Sequence, residues 1–229
     1  MVVVHIVEPF ASGVAVFVRS LTEAMPDDVH IVVHGERKEE ISADDVKRNF
    51  LNHNVRFIKW RSAKRSIDPF KDSLAFMELC RILRRLKSKD MVDAVHLHSS
   101  KSGLLGRLAC RFVGIKNVFY TPNGASFLSA RNPATRFLYK QVERLGNFLG
   151  GNVVCCSASE LEEYLKLGIN AGYINNGINL NNPLPVSDVK ANDKFRIVTS
   201  GRIEKQKNPF LFNQIATYFE DMPQLEFIW

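Results

Sequence analysis

Short β-branched runs recur along this chain with helical stretches between them, and that alternation restricts the fold more than any other feature. The runs are "VVVHIV" (2–7), "VHIVVH" (29–34), "VRFIKW" (55–60), "DAVHLH" (93–98), "NVFYT" (117–121), "NVVCC" (152–156) and "GYIN" (172–175). Helical spacing fills 14–25, 70–88, 102–113, 133–149 and 158–167; in the second of these, Phe70, Leu74, Met77, Ile82 and Leu86 supply the expected apolar stripe. Residues 35–52 are polar and receive no assignment. Strand runs that are largely apolar, most of them followed by a helix, are covered on both faces. The expected fold class is therefore α/β, with a Rossmann-like parallel sheet and helices on both sides.

The pattern breaks at 176–194, "NGINLNNPLPVSDVKANDK", which is rich in Asn and Pro and has little apolar periodicity. It reads as a connection between domains. After it, "FRIVTSGRIEKQKNPF" restarts the strand–turn–helix order. The expected organisation is a first domain over 1–180, a linker over 181–194, and the opening of a second α/β domain over 195–229. That last stretch has room for two strands and one helix, too little for a core of its own. The expectation is a chain cut inside its second domain.

Charge narrows the partners. The 229 residues carry 31 basic and 24 acidic side chains, a net charge of +7. Such a balance suits phosphates or an anionic surface. Basic runs at 56–65, "RFIKWRSAKR", with Phe57 and Trp60, and at 81–89, "RILRRLKSK", fit docking on an anionic membrane. No nucleic-acid recognition module or stacking pattern accompanies the charge. Cys80, Cys110, Cys155 and Cys156 show no metal-type spacing and read as buried thiols in a reducing compartment. "MVVVHIV" lacks a basic leader, and no apolar run reaches the roughly 20 residues that span a bilayer. The expectation is a cytoplasmic chain, peripheral on the inner face of the cell membrane.

Ligands of open parallel sheets bind outside the carboxyl ends of the strands. In "EPFASGVAV", Gly13 lets backbone approach a ligand before a helix. In "HLHSSKSG", His96 and His98 share one strand face, and Ser99 and Ser100 open the next helix. A histidine at this strand end would reach a sugar hydroxyl or a phosphate. No third metal ligand is suggested beside the pair. "TPNGASF" places Asn123 and Gly124 in a turn, and in "CSASE" Ser157 or Ser159 reads as a helix cap with Glu160 in the first turn. In "SGRIEKQKNPF", Arg202 leaves a strand and Lys207 returns at a helix start, two cations suited to a diphosphate.

Together, "ASGVAVFVRSL", "VHLHSSKSGLLGRLACRFVGIKNVFYTPNG", "VVCCSASELEEYLKLG", "YINNGINLN" and "IVTSGRIEKQKNP" resemble glycosyltransferase family 4, retaining transferases of the GT-B fold. The resemblance implies two Rossmann-like domains facing each other across a cleft, the first on the acceptor side and the second binding a nucleotide-sugar. It implies that Arg202 and Lys207 contact the donor diphosphate, and that Gly13, His98, Ser99, Asn123 and Gly124 line the acceptor side. It implies no metal and no cofactor beyond the nucleotide-sugar co-substrate, with a sugar or lipid-linked acceptor in polysaccharide or glycolipid synthesis. The family usually has His-Gly where this chain has Asn123-Gly124, so an amide that does not titrate stands in for an imidazole. The family's two donor-domain glutamates have no counterpart up to Trp229, which leaves the catalytic residues unassigned and a chain inactive on its own. Two alternatives stay open: a non-catalytic half-protein that binds acceptor or membrane and pairs with a catalytic subunit, and a nucleotide-dependent oxidoreductase or epimerase.

Overall fold

The computed structural model describes residues 1–36, 42–64, 68–177, 194–201, 203 and 207–229, which fall into two compact units, Met1–Ile178 and Asn179–Trp229. The larger unit is built on seven strands: β1 (Val2–Val7), β2 (Val29–His34), β3 (Val55–Lys59), β4 (Ala94–His98), β5 (Val118–Thr121), β6 (Asn152–Cys155) and β7 (Ala171–Tyr173). Every pairing is parallel, in the order β3-β2-β1-β4-β5-β6-β7. Helices α1 (Ser12–Ala24), α2 (Ala43–Arg48), α3 (Pro69–Lys87), α4 (Ser100–Val113), α5 (Ser126–Ser129), α6 (Pro133–Phe148) and α7 (Ala158–Lys166) connect them. This is the expected Rossmann-like α/β fold. The six-residue α2 lies in the stretch left without an assignment, and its start is fixed by Ser42, whose hydroxyl accepts from the Asp45 amide.

The two sheet faces differ in chemistry because side chains alternate along each strand. Val4, Ile6, Ile31, Val33, Val95, Leu97 and Tyr120 join Leu79 and Leu83 of α3 in the main core. The other face packs Val7 and Val32 against Val18 of α1 and Val46 of α2. That second face also carries five of the six histidines: His5, His30, His34, His96 and His98. Helix α4 lies close on the main-core face because it presents glycine there. A Cβ on Gly103 would stand 2.3 Å from Tyr120 Cε2, and one on Gly106 would stand 2.4 Å from Leu97 Cδ2.

Two sequence expectations are corrected. Helix α3 buries Ala75, Leu79, Cys80, Leu83 and Leu86. Phe70, Leu74 and Met77 are exposed on the opposite side of the helix. The chain holds two stripes at helical spacing, and the one that keeps step over more turns meets the sheet. Trp60 is not a surface anchor: it is fully buried, and its Nε1–H donates to the Ala75 carbonyl over 2.9 Å. It directly follows β3, the strand that precedes α3, so its ring closes the core under that helix. The run "RFIKWRSAKR" therefore does not present Trp60 to a membrane.

The smaller unit pairs β8 (Phe195–Val198) with β9 (Leu225–Ile228) in parallel, joined through α8 (Pro209–Tyr218). Phe212 packs edge-on against both Phe227 and Trp229, with ring centres 5.8 and 5.5 Å apart. No described residue of α8 is buried.

Candidate functional site

In a sheet of this order the chain turns from one side to the other between β1 and β4, and the crevice outside their carboxyl ends is the expected ligand position. The two loops that leave those strands touch: the Ser99 hydroxyl donates to the Glu8 carbonyl. Both bend sharply. Ser12 has φ of 48° and Ser99 of 71°, and Asn123, after the neighbouring β5, has φ of 54°. Left-handed backbone on non-glycine residues costs of order 1 kcal/mol or more and clusters at functional sites. Here it falls at the ends of three adjacent strands.

The helices that start there are uncapped. Ala11 and Ser99, the N-cap residues of α1 and α4, make no side-chain cap hydrogen bond among the described residues. Ser99 lies in the expected place, but its hydroxyl turns back to Glu8 instead of closing the helix. Gly13, in the first turn of α1, is exposed, and a Cβ there would meet nothing within 4 Å. A cavity of about 290 Å³ opens beside these loops, lined by Glu8, Ser99, Ser100, Lys101, Ser126 and Glu143 among others. It lies near the lower end of small-ligand sites and has room for one sugar ring. Ser126 donates to the Ser100 hydroxyl across 3.0 Å, and Lys101 pairs with Asp72 at 2.6 Å on the rim.

Glu143 is, with Glu8, one of two buried carboxyls that line this cavity. Tyr120 donates to its Oε1 over 2.9 Å, and Arg107 stands 3.4 Å from its Oε2. The Arg107 guanidinium lies 4.2 Å from the Tyr120 ring centre. Burial pushes the Glu143 carboxyl up, and Arg107 opposes that shift. The same burial holds the Tyr120 phenol well above its usual range. Glu143 and Arg107 lie on helices read only as helices, and nothing in their spacing marks them as partners.

Asn123 and Gly124 sit in the turn after β5, with Gly124 exposed at φ of 90°. Their position is set by Glu160. Its Oε1 accepts from the Gly124 and Ala125 amides at 3.2 and 2.9 Å, and its Oε2 from the Cys156 amide at 2.9 Å. Ser157 caps α7 as expected, accepting from the Glu160 amide over 3.2 Å. A first-turn glutamate signals a helix start in sequence; its grip on a loop thirty-five residues back is visible only in the fold.

His98 is placed differently from the expectation. It is fully buried beneath the loop, and its Nε2 lies 3.1 Å from His5 Nδ1. His96 meets the Thr121 hydroxyl at 2.8 Å. The sheet register adds the third imidazole the sequence does not suggest: His5 pairs with His96, and Val7 with His98. Burial lowers the His96 imidazole to about 4 and holds His5 and His98 well below the usual histidine range, with neighbouring imidazoles adding to the shift in both.

In the smaller unit, Lys207 is exposed and lies along Gly201, its Cγ 3.2 Å from where a Cβ would stand. Asn208 begins α8 with φ of 51° and no side-chain cap among the described residues. Arg202 lies outside the described residues.

Among known proteins, the chain is 28% identical over 183 residues to the UDP-Gal:alpha-D-GlcNAc-diphosphoundecaprenol alpha-1,3-galactosyltransferase of Escherichia coli, covering 74% of this chain and 46% of that protein. It is 27% identical over 234 residues to an uncharacterized 41.2 kDa protein in the cps region of Klebsiella pneumoniae, covering 94% of this chain and 60% of that protein. The chain thus spans about half the length of the curated relatives it matches. Among solved structures, sucrose-phosphate synthase from Thermosynechococcus elongatus superposes with a TM-score of 0.69 at 17% identity, over 99% of this chain and 61% of that one, a likeness of fold alone. The family model described as Glycosyltransferase Family 4 matches residues 11–182, a span that holds Gly13, Ser99, Asn123 and strands β2 to β7, and the chain belongs to that family.

Proposed function

We propose that this chain is the acceptor-side part of an enzyme that moves a hexose from a uridine-diphosphate sugar to a hydroxyl of a lipid-diphosphate-linked saccharide, with retention at the anomeric carbon. The observation that carries the reading is the meeting of the β1 and β4 loops at the turn-over point of the sheet, with bare helix starts and a sugar-sized cavity, in a member of this family. The activity for which the E. coli relative is named supports the choice of donor and acceptor. The acceptor hydroxyl oxygen bonds to the anomeric carbon as the bond from that carbon to the diphosphate breaks, and the hydroxyl proton passes to the departing diphosphate. Negative charge gathers on the departing nucleotide diphosphate. Arg202 and Lys207 serve that charge as a planar fork and a compact cation. Gly13, Ser99, Asn123 and Gly124 shape the acceptor side, and His98 supports them from below.

The same reading puts the enzyme at the cytoplasmic face of a membrane. No described helix is long and apolar enough to cross a bilayer. Helix α3 exposes Phe70, Leu74 and Met77, and further along the same side Arg81, Arg84 and Arg85. Arg84 stacks over the exposed Phe112 ring at 4.9 Å. Each basic residue near an anionic bilayer contributes about 1 kcal/mol. Arg81→Glu, Arg84→Glu and Arg85→Glu together should release the protein from anionic vesicles; retention at low salt would remove the membrane part of the proposal.

The test of the whole is transfer of label from radioactive UDP-galactose to the organic phase of a lipid extract by a purified protein in which this chain is continued through a complete donor domain. Labelled lipid with the α configuration is the expected result. Absence of label across a panel of nucleotide-sugars, or release of free sugar alone, would refute it.

A further inference from the structure

The buried histidine face holds an arrangement that sugar transfer does not use. His30 Nε2 stands 3.0 Å from the Met25 carbonyl, which only accepts. His30 Nε2 therefore carries a hydrogen, and in the neutral ring His30 Nδ1 is bare. That bare nitrogen stands 3.1 Å from His5 Nε2, so His5 carries its hydrogen on Nε2 and its Nδ1 is bare. His5 Nδ1 in turn faces His98 Nε2 at 3.1 Å. If His98 donates there, its Nδ1 is left as a buried lone pair, and no described residue donates to it. His96, whose Nε2 meets Thr121, offers its other nitrogen from a ring centred 4.1 Å from that of His98. One nitrogen from each of His5, His96 and His98 lies within 4.8 Å of the other two. Two imidazole nitrogens on one tetrahedral zinc ion, each about 2.05 Å from it, stand about 3.3 Å apart. His5 Nδ1 and His98 Nε2, 3.1 Å apart, lie near that distance, and the third ligand nitrogen stands within 4.8 Å of both.

We propose that His5, His96 and His98 form a site for one divalent metal ion of the zinc class. Three neutral imidazoles suit zinc, cobalt, nickel or copper and do not suit magnesium or calcium, which take oxygen ligands. The outer partners are in place: His30 and the Met25 carbonyl orient His5, and Thr121 orients His96. A solvent oxygen takes the fourth position. The ion ties β1 to β4 directly beneath the loops that begin at Glu8 and Ser99. Its role is to hold those loops in place, and it is independent of the sugar-transfer reading.

The purified chain, stripped with a chelator, is titrated with Co²⁺ alone and then with Zn²⁺ alone. One equivalent of Co²⁺ should bind with the visible absorption of a four-coordinate ion, and Zn²⁺ should displace it. Zn²⁺ should raise the thermal midpoint, since it binds the folded chain, and Mg²⁺ should not. His96→Gln should abolish the cobalt band, and Thr121→Val should weaken binding about ten- to a hundredfold. His53→Gln, at an exposed position, should change neither. If His96→Gln does not fold, ¹⁵N-histidine spectra of the unmodified chain replace it: Zn²⁺ should move the His5, His96 and His98 nitrogens and leave His53 in place. No saturable Co²⁺ binding, a band that survives His96→Gln in a folded variant, or nitrogen shifts confined to His53 would overturn the site.

Discussion

Seven of the eight described helices begin in one of two ways; the four-residue α5 has neither a side-chain cap nor a left-handed start. At α2, α3, α6 and α7, a side chain of Ser42, Asp68, Asn132 or Ser157 accepts from the first free amides. At α1, α4 and α8, no described side chain does so, and a non-glycine residue at the start, Ser12, Ser99 or Asn208, is left-handed. A cap stabilises a helix by about 1 kcal/mol, and a left-handed serine or asparagine costs a similar amount. The bare starts are thus the less stable choice, yet they stand at the β1–β4 turn-over point and beside Lys207. A capped start uses its amides within the chain. A bare start leaves them, with the positive end of the helix dipole, for an anion or a sugar oxygen.

The largest expected effects lie at the bare starts. On the proposed function, Arg202→Ala or Lys207→Ala in a protein with a complete donor domain should lower transfer about a hundred- to a thousandfold, the scale of one lost transition-state donor. Rates near normal in both would reduce the α8 start to a solvated turn. Gly13→Ala separates function from stability at α1. The added methyl meets nothing in the free protein. Alanine also favours helix by roughly 0.5–1 kcal/mol. The thermal midpoint should hold or rise while transfer falls about tenfold through lost close approach; unchanged transfer would break the comparison at this helix.

Glu160 sharpens the comparison because it belongs to both classes: it follows a capped start, yet it holds the Asn123–Gly124 turn. Glu160→Ala strands the Gly124, Ala125 and Cys156 amides. A loss of about 3 kcal/mol in urea unfolding is expected from desolvated donors of this kind. A loss under about 1 kcal/mol would mean that water serves those amides equally well. At the capped starts, Asp68→Ala and Asn132→Ala should each cost about 1 kcal/mol and leave transfer untouched.

The smallest effect is at Cys156, whose thiol donates to Asn123 Oδ1 over 3.5 Å. Burial first, and Glu160 second, push this thiol up to about 11. The thiolate fraction therefore rises about tenfold per pH unit below that value, and iodoacetamide labelling of Cys156 should follow it from about pH 8 to about pH 10. Cys110 and Cys155, each raised to about 12 and buried, should stay unlabelled in the folded chain. Fast labelling of Cys156 near neutral pH would show that the loop opens.

Strand runs and helical spacing are local signals, and they carry the fold class and the three loops that leave β1, β4 and β5. What register decides is not local. His96 and His98 share a face visibly, but His5 and His30 join them only when β1 and β2 pair beside β4. Trp60 reads as part of a basic amphipathic run, because nothing in the run says that α3 will fold back over it. Phe70, Leu74 and Met77 mimic a core stripe because a long helix can carry two, and only the sheet selects between them. Gly103 and Gly106 sit plainly in the quoted motif, but their purpose, close approach to Tyr120 and Leu97, needs the third dimension.

The most direct test of the site is amide mapping on isotopically labelled protein with a short-chain GlcNAc-diphosphate lipid analogue. Shifts are expected at Ser12–Val14, Ser99–Lys101 and Asn123–Ala125, with the capped starts at Ala43, Phe70 and Ala134 unmoved. Saturable shifts centred on the capped starts, or none at the three loops, would contradict the assignment of the bare helix starts as the acceptor site.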